Sequence, residues 1–198
     1  MLRVLRRNVD ATPHLAGAAA VVRGAHPNWS AAEVRSAVVN TAQQGVLRHP
    51  ETGAVTDDAL IVGAGLLDVS AASGATAGLD PVSQSFGSIA SGSGRSRSSS
   101  IQVTNLSNAS KTFTVAISDD ASDGVLFSTT GVPLTLAAGA SGAVAVSMAA
   151  TKGAADGHHQ ATLRVSTGGV EVAHAMLYTL VGEGVLAPGQ HMLPPPKA

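Results

Sequence analysis

The feature that most constrains the fold is a stretch near the N-terminus that carries no polar side chain. Residues 15–22 read Leu-Ala-Gly-Ala-Ala-Ala-Val-Val. Just before them, Thr12 suits a helix cap and Pro13 suits the first helical turn, where its missing N–H would be unpaired anyway. A helix without a polar face has no side to turn to water. We therefore predict a tightly packed helix that begins at Thr12 and is buried inside a larger fold.

A second helix is predicted after a short loop at residues 26–29. Ser30 is the expected N-cap, and Glu33 stands three residues later, the spacing of a capping box. The apolar face of this helix consists of Val34, Ala37, Val38 and Thr41. We interpret the helix as structural support and not as a recognition helix.

Residues 43–60 are polar and rich in turn formers, which predicts a surface loop. In the following segment, residues 61–72, Gly63 and Gly65 permit close backbone approach, and Asp68 can cap a short helix. The Gly-x-Gly spacing lacks the third glycine and the strand–turn–helix context of a nucleotide loop. We interpret these glycines as structural.

Together these segments resemble the C-terminal part of the catalytic domain of the subtilisin-like serine proteases, the subtilases. The resemblance rests on residues 12–20, 26–30 and 33–37, and on the similarity of residues 61–72 to the family's closing Gly-x-Gly-x-Val-Asn/Asp-x-x-x-Ala segment. The family sequence reads Gly-Thr-Ser-Met-Ala-Thr-Pro-His-Val-Ala-Gly, and its serine is the nucleophile. Laid on this chain, that serine falls on Val9.

The resemblance implies a serine endopeptidase family, but Val9 has no hydroxyl with which to form an acyl-enzyme. The aspartate, the histidine and the oxyanion-binding asparagine of the family precede its serine and are expected to lie outside this chain. His14 belongs to the helix motif, so the resemblance implies structural packing and not the role of the base. We expect a truncated pseudoenzyme with no catalytic residue of its own, although the enzymatic status of the chain stays open.

Residues 1–10 do not follow the family pattern, and their basic start lacks the apolar stretch of a signal peptide. We interpret them as a replacement N-terminus. The family is usually secreted, whereas this chain has no recognisable signal peptide, so its localisation stays open.

Beyond residue 80 the hydrophobic period changes to two, which predicts half-buried strands. The alternating segments are residues 101–103, 113–117, 134–136, 144–148, 163–165 and 170–180. About seven strands separated by turn formers favour an antiparallel β-sandwich of immunoglobulin or fibronectin type III character. The order of features resembles the fibronectin type III-like module of many large subtilases, with Phe86-Gly87 near its start and Leu136-Ala137-Ala138-Gly139 before a later strand.

The predicted fold class is thus an α-rich remnant of the subtilase α/β domain followed by an all-β sandwich. The predicted divisions are residues 1–10, the non-family N-terminus; 11–79, the catalytic-domain remnant; 80–187, the sandwich; and 188–198, a Pro-rich tail. We expect the sandwich to fold alone, with a protease-resistant core starting near Asp80, and the remnant not to do so.

Composition narrows the range of partners. The chain has 198 residues, a formal net charge of −1 and no cysteine. It therefore lacks the excess positive charge that favours nucleic acid, and no run reaches the roughly 18 apolar residues of a membrane span. A protein or peptide partner is left open, including a missing N-terminal protease fragment.

Other candidate residues are interpreted as structural, and we expect neither a metal nor a cofactor. A metal site at His158 and His159, with Asp156 nearby, is disfavoured because metal binding needs convergent ligands and adjacent side chains in a strand point to opposite faces. The pair is predicted to lie in a solvated loop. His174 is predicted to be a satisfied core or edge histidine. Residues 95–100, with two arginines among serines, are predicted to be a flexible loop. Two alternatives to an inactive fragment remain: complementation of a separate protease chain, and a β-sandwich adhesion or binding module.

Overall fold

The structure, a computed structural model, describes residues 7–119, 121–130 and 133–182, with the backbone alone for residues 7–10 and 121. The predicted Pro-rich tail, residues 188–198, and residues 1–6 of the predicted replacement N-terminus lie outside this range. A helical section comes first and consists of α1 (Arg7–Ala25), α2 (Ala31–Asn40), α3 (Ala59–Val62) and α4 (Val69–Ser73).

The strands follow the helices and form two sheets. In chain order they are β1 (Ala77–Asp80), β2 (Ser83–Ala90), β3 (Ser96–Asn105), β4 (Lys111–Ser118), β5 (Val125–Thr129), β6 (Leu134–Leu136), β7 (Ser141–Ala150), β8 (Gly157–Thr167) and β9 (Val170–Gly182). One sheet has the order β1-β3-β7-β5 and the other β2-β9-β8-β4-β6. All pairings are antiparallel except that of β2 with β9. The described part of the chain is therefore mostly β, as the sandwich prediction requires.

Helix α1 starts earlier than predicted. It begins at Arg7, so Thr12 is not its cap and Pro13 lies inside it. An interior proline removes one intrahelical hydrogen bond and costs about 3 kcal/mol. The predicted start is wrong because residues 7–11, which precede Thr12, are also helical.

The predicted capping box of α2 is confirmed. Ser30 Oγ accepts from the backbone N–H of Glu33 at 3.2 Å, and the backbone N–H of Ser30 donates to Glu33 Oε2 at 2.6 Å. Two N–H groups at the start of the helix are thereby paired. Asp68 acts in the same way for α4, where its Oδ1 accepts from Ala71 N–H at 2.8 Å.

The chain between α2 and α4 is held together by a close backbone approach at Gly65. Gln43 and Leu66 exchange two backbone hydrogen bonds, of 2.7 and 2.9 Å. Gly65 has φ +128°, and a Cβ at this position would lie 2.5 Å from the Gln43 carbonyl oxygen. Only glycine fits there without moving the backbone of a neighbouring segment.

Gly65→Ala is therefore expected to destabilise the chain by more than about 2 kcal/mol, because strain from positive φ adds to a backbone clash. Gly63→Ala is the matched control: its φ is +60°, but a Cβ there meets nothing within 4 Å. Because its φ of +60° and ψ of −131° lie outside the left-handed helical region, the control carries backbone strain of about 1–3 kcal/mol without the clash, and it should cost less than Gly65→Ala. Urea unfolding at 25 °C measures both, and equal losses would contradict the role assigned to the close approach.

Three strands were not predicted from the sequence, and each has a physical reason. Strand β1 is only four residues long and lies in a stretch that resembles a linker. A register shift between Ser85 and Ser88 breaks the period of β2, so its buried Phe86 and Ile89 are three residues apart. In β5 the buried residues Val125 and Phe127 are too few to show alternation.

The predicted flexible loop at residues 95–100 is also wrong. Ser96 to Ser100 pair with β7 as the first half of β3. Arg97 spans the two sheets, and its guanidinium donates to the carbonyls of Phe86 and Ser88 at the bulge of β2, the second at 2.9 Å. The serine side chains give no alternating hydrophobic pattern, so this strand is recognised only by its main-chain pairing with β7.

The sandwich core lies between the two sheets and is built from alternating strand positions. The largest side chains that are essentially inaccessible are those of Phe113, Leu79, Ile89, Ile101, Met148, Leu163 and Leu177. A smaller cluster joins the helices and contains Val22, Val34, Ala37, Val38, Ala72 and Ala75. Leu106, which follows β3, packs against this second cluster and joins the helical section to the sandwich.

Candidate functional site

The first half of α1 is exposed, contrary to the prediction that the helix is buried on several sides. Residues 11–17 are all exposed, and Leu15 and Val21 keep 48% and 54% of their surface accessible. Only Ala18 and Val22 are buried, where α2 and α4 pack against one side of the helix. The prediction is wrong for this chain because two short helices cover a single stripe of α1.

An open apolar groove runs between α1 and α2. Its volume is about 970 Å³. Its lining residues are Leu15, Ala19, Ala20, Arg23, Asn28, Trp29, Ser30, Ala31, Glu33, Val34, Arg35, Val38 and Val39. A concave apolar surface with a few charged groups is typical of a binding site for another molecule or segment.

Trp29 is held in place at one end of the groove. Its ring stacks on His26 with 3.7 Å between the ring centroids and 5° between the planes. His26 Nε2 lies 2.7 Å from the carbonyl oxygen of Ser73, and the Arg23 guanidinium donates to the carbonyl of Trp29. The groove therefore has one fixed aromatic wall.

The position of the family nucleophile lies at the start of α1. Val9 is in the first turn of this helix, and its side chain lies outside the described side chains. His14 is exposed, so the packing role that the resemblance implies is wrong for this chain. It stands one turn before the buried Ala18, beyond the part of α1 that α2 and α4 cover.

The histidine pair lies in a strand and not in the predicted solvated loop. His159 is 4% exposed in β8; its Nδ1 lies 2.6 Å from Asp123 Oδ2 and its Nε2 lies 2.8 Å from the Ala155 carbonyl oxygen. His158 points to the opposite face, where its Nδ1 lies 2.5 Å from Tyr178 Oη. Asp156, which the sequence places near the pair, bonds Ser91. The loop prediction is wrong because a partner 36 residues away buries His159.

The prediction for His174 is confirmed. It is 4% exposed in β9, its Nε2 lies 3.0 Å from the carbonyl oxygen of Ala64, and its Nδ1 lies 3.6 Å from Glu171 Oε1. His159 and His174 are thus engaged with carbonyl or carboxylate oxygens as structural residues.

The part of the chain that the structure describes contains neither a preformed metal site nor a membrane-spanning helix. There, no group of three or more His, Asp or Glu side chains is placed to hold a metal ion. Over the same residues, no helix is both long enough and apolar enough to cross a membrane.

Part of the helical section is similar in sequence to a known family. Residues 10–65 match the sequence model of the subtilase family, peptidase family S8. The match starts directly after Val9, includes α2 and α3, and ends at Gly65. The subtilase part of the predicted resemblance is therefore confirmed for this stretch. No curated protein matches the chain.

Solved structures resemble the chain only distantly. WR4, an MSP family member of C. elegans, is 9% identical over 55% of this chain and 99% of its own, with a TM-score of 0.37. PapD-like domain 7 of human CEP192 is 11% identical over 56% of this chain and 87% of its own, with a TM-score of 0.38. The secreted serine protease VesC of Vibrio cholerae is 20% identical over 50% of this chain and 21% of its own, with a TM-score of 0.36. The β-sandwich is established by the strands described above, and its fibronectin type III-like character stays a prediction.

Proposed function

We propose that this chain is the C-terminal part of a subtilisin-like serine endopeptidase and that it does not hydrolyse peptides by itself. Residues 11–79 would be the remnant of the catalytic domain and residues 80–187 a fibronectin type III-like module. The observation that carries the proposal is the match of residues 10–65 to the subtilase family beside a valine at the nucleophile position.

The chemistry supports inactivity of the chain alone. A serine protease needs a hydroxyl nucleophile, an imidazole that takes its proton, and a carboxylate that orients the imidazole. Val9 supplies no hydroxyl. The buried histidines have other partners: both ring nitrogens of His159 face oxygen atoms, and Nε2 of His174 faces Ala64. His14 is exposed on a helix that resembles the one carrying the nucleophile, not the one carrying the base.

The test is hydrolysis of a generic peptide substrate by the purified chain, with and without a serine-reactive inhibitor. We expect turnover at the level of buffer in both cases. Turnover that the inhibitor abolishes would overturn the proposal. A serine residue labelled by the inhibitor in the intact chain would identify the nucleophile that the proposal excludes.

A second candidate function is complementation of a separate protease polypeptide. The apolar groove between α1 and α2, which Leu15 lines, favours it, and Val21 leaves further hydrophobic surface exposed elsewhere on α1, in the stretch that matches the family. The occupant would be the remainder of a subtilase catalytic domain, which the resemblance expects to precede this segment. Co-expression with the polypeptide encoded upstream should restore peptidase activity only if that polypeptide supplies a nucleophile.

The third possibility is a sandwich that binds or adheres to other proteins. Binding by strand addition to the four-stranded sheet is disfavoured because side chains occupy its two edge strands, β1 and β5. The outward N–H of Leu79 in β1 donates to Ser36, and those of Val125 and Phe127 in β5 donate to Asp123 and Asp119 at 2.9 and 2.7 Å. Such side-chain caps block pairing with a further strand. Binding through a sheet face remains open, and capture of a protein by the full chain would support it.

A further inference from the structure

Two buried polar side chains on α2 connect the helical section to the sandwich. Ser36 and Asn40 are each 1% exposed and stand one helical turn apart. The Ser36 hydroxyl donates to Asn40 Oδ1 at 2.8 Å and accepts from the N–H of Leu79 at 2.6 Å. The Asn40 amide donates to the carbonyls of Val82 and His174, both at 2.7 Å. Every N–H and O–H donor of the two side chains is therefore used.

The three backbone partners belong to different parts of the sandwich. Leu79 lies in β1 of the four-stranded sheet, His174 lies in β9 of the five-stranded sheet, and Val82 lies in the connection from β1 to β2. Because Leu79 and His174 lie in paired strands, the bonds fix the position of α2 against both sheets. The helix stands beside edge strand β1, where a further strand would otherwise pair.

The opposite side of α2 belongs to the helical cluster. Val34, Ala37 and Val38 pack there with Val22 of α1 and Ala72 of α4. One short helix is thus shared between two cores. If α2 separated from the sandwich, buried backbone and side-chain groups would lose their partners, which is unfavourable for each group unless water replaces them.

A second set of contacts runs in parallel with the first. His174 Nε2 lies 3.0 Å from the Ala64 carbonyl, and the N–H of Ala59 donates to Gln160 Oε1 at 2.9 Å. These bonds hold the segment around α3 on β8 and β9. The helical section is therefore hydrogen-bonded to the sandwich both before and after the loop that connects α2 to α3.

We infer that the helical section and the sandwich unfold as one cooperative unit, and that Asn40 is the positioning residue that holds α2 on the sandwich. The sequence alone favours the alternative, a sandwich that unfolds independently of the remnant. A further consequence is that the sandwich holds the groove between α1 and α2 in a position to bind a partner. This consequence rests on the proposed function. The coupling itself does not, because it concerns the chain alone.

The chain contains a natural probe of the helical section. Trp29 is its only tryptophan and packs against the helical cluster. Urea unfolding followed by Trp29 fluorescence reports on the helices, and pulsed amide exchange of the β7 and β8 peptides reports on the sandwich. We expect the two midpoints to coincide in the unaltered full chain. A Trp29 transition well below that of the sandwich would overturn the inference.

Asn40→Ala is expected to separate the two transitions, with the Trp29 midpoint lowered by about 1 M urea and the sandwich midpoint lowered less. Asn108→Ala, an exposed asparagine in the turn after β3, is the matched control and should change neither midpoint. Ser36→Ala removes a single hydroxyl and should give a smaller separation, which provides a readout if Asn40→Ala does not fold. Midpoints that stay together and unchanged in both α2 variants would refute the role of Asn40. Since no substrate or partner is present, this outcome is independent of whether the chain belongs to a protease.

Discussion

Val9→Ser is expected to create peptidase activity only when the chain is paired with a polypeptide that supplies the aspartate, histidine and asparagine of a subtilase. The substitution restores the hydroxyl at the position where the family carries its nucleophile. In subtilisin, where the effect has been measured, loss of the serine lowers kcat about a millionfold. A correctly assembled complex should therefore gain several orders of magnitude over the same complex with Val9.

The measurement is hydrolysis of a peptide substrate by six samples: the unaltered chain, the Val9→Ser variant and a control variant, each with and without a polypeptide that supplies the aspartate, histidine and asparagine of a subtilase. Ala16→Ser is the control, because it places the same hydroxyl elsewhere on α1, at an exposed position that does not line the groove. Only the assembled Val9→Ser sample should turn over, and a serine-reactive inhibitor should abolish that activity. Equal activity in the Ala16→Ser complex would show that position 9 is not the nucleophile position.

Local signals made the second helix predictable. Ser30 and Glu33 are three residues apart, so both halves of the capping box are visible in the sequence, and the structure reproduces them. The same holds for Asp68 and the start of α4. The subtilase resemblance was also readable, because it depends on short contiguous motifs within the matched stretch.

Non-local contacts made the rest unpredictable. Whether α1 is buried depends on what surrounds it. The sequence of an all-apolar helix does not show whether the helix lies inside a whole domain or beside two short helices. His159 looked solvated because Asp123, its partner, is 36 residues away. Strand β2 could not be predicted because its bulge interrupts the alternation of buried and exposed residues that identifies a strand. The structure at such positions is determined by main-chain pairing or by distant partners. Neither produces an alternating hydrophobic pattern in the sequence.

The apolar surface of α1 is expected to be the part of the chain that holds the rest of a catalytic domain. Leu15→Asp and Val21→Asp should each weaken binding to the upstream polypeptide by about 10-fold to 100-fold, because burial of a leucine or valine side chain contributes roughly 1.5–3 kcal/mol. Binding is measured by titration calorimetry with the separately expressed polypeptide.

Both side chains are about half exposed before binding, so each variant should cost the chain alone no more than about 1 kcal/mol. Val170→Asp is the matched control: Val170 is 66% exposed in β9, far along the chain from the subtilase-like stretch. It should leave binding unchanged. If the three substitutions weaken binding equally, the effect is one of net charge and the apolar surface of α1 is not the docking surface. If the α1 variants alone lose binding while their urea midpoints change little, the surface acts in assembly and not in folding. A residue that supported the fold could not be replaced by a charged one without a large loss of stability.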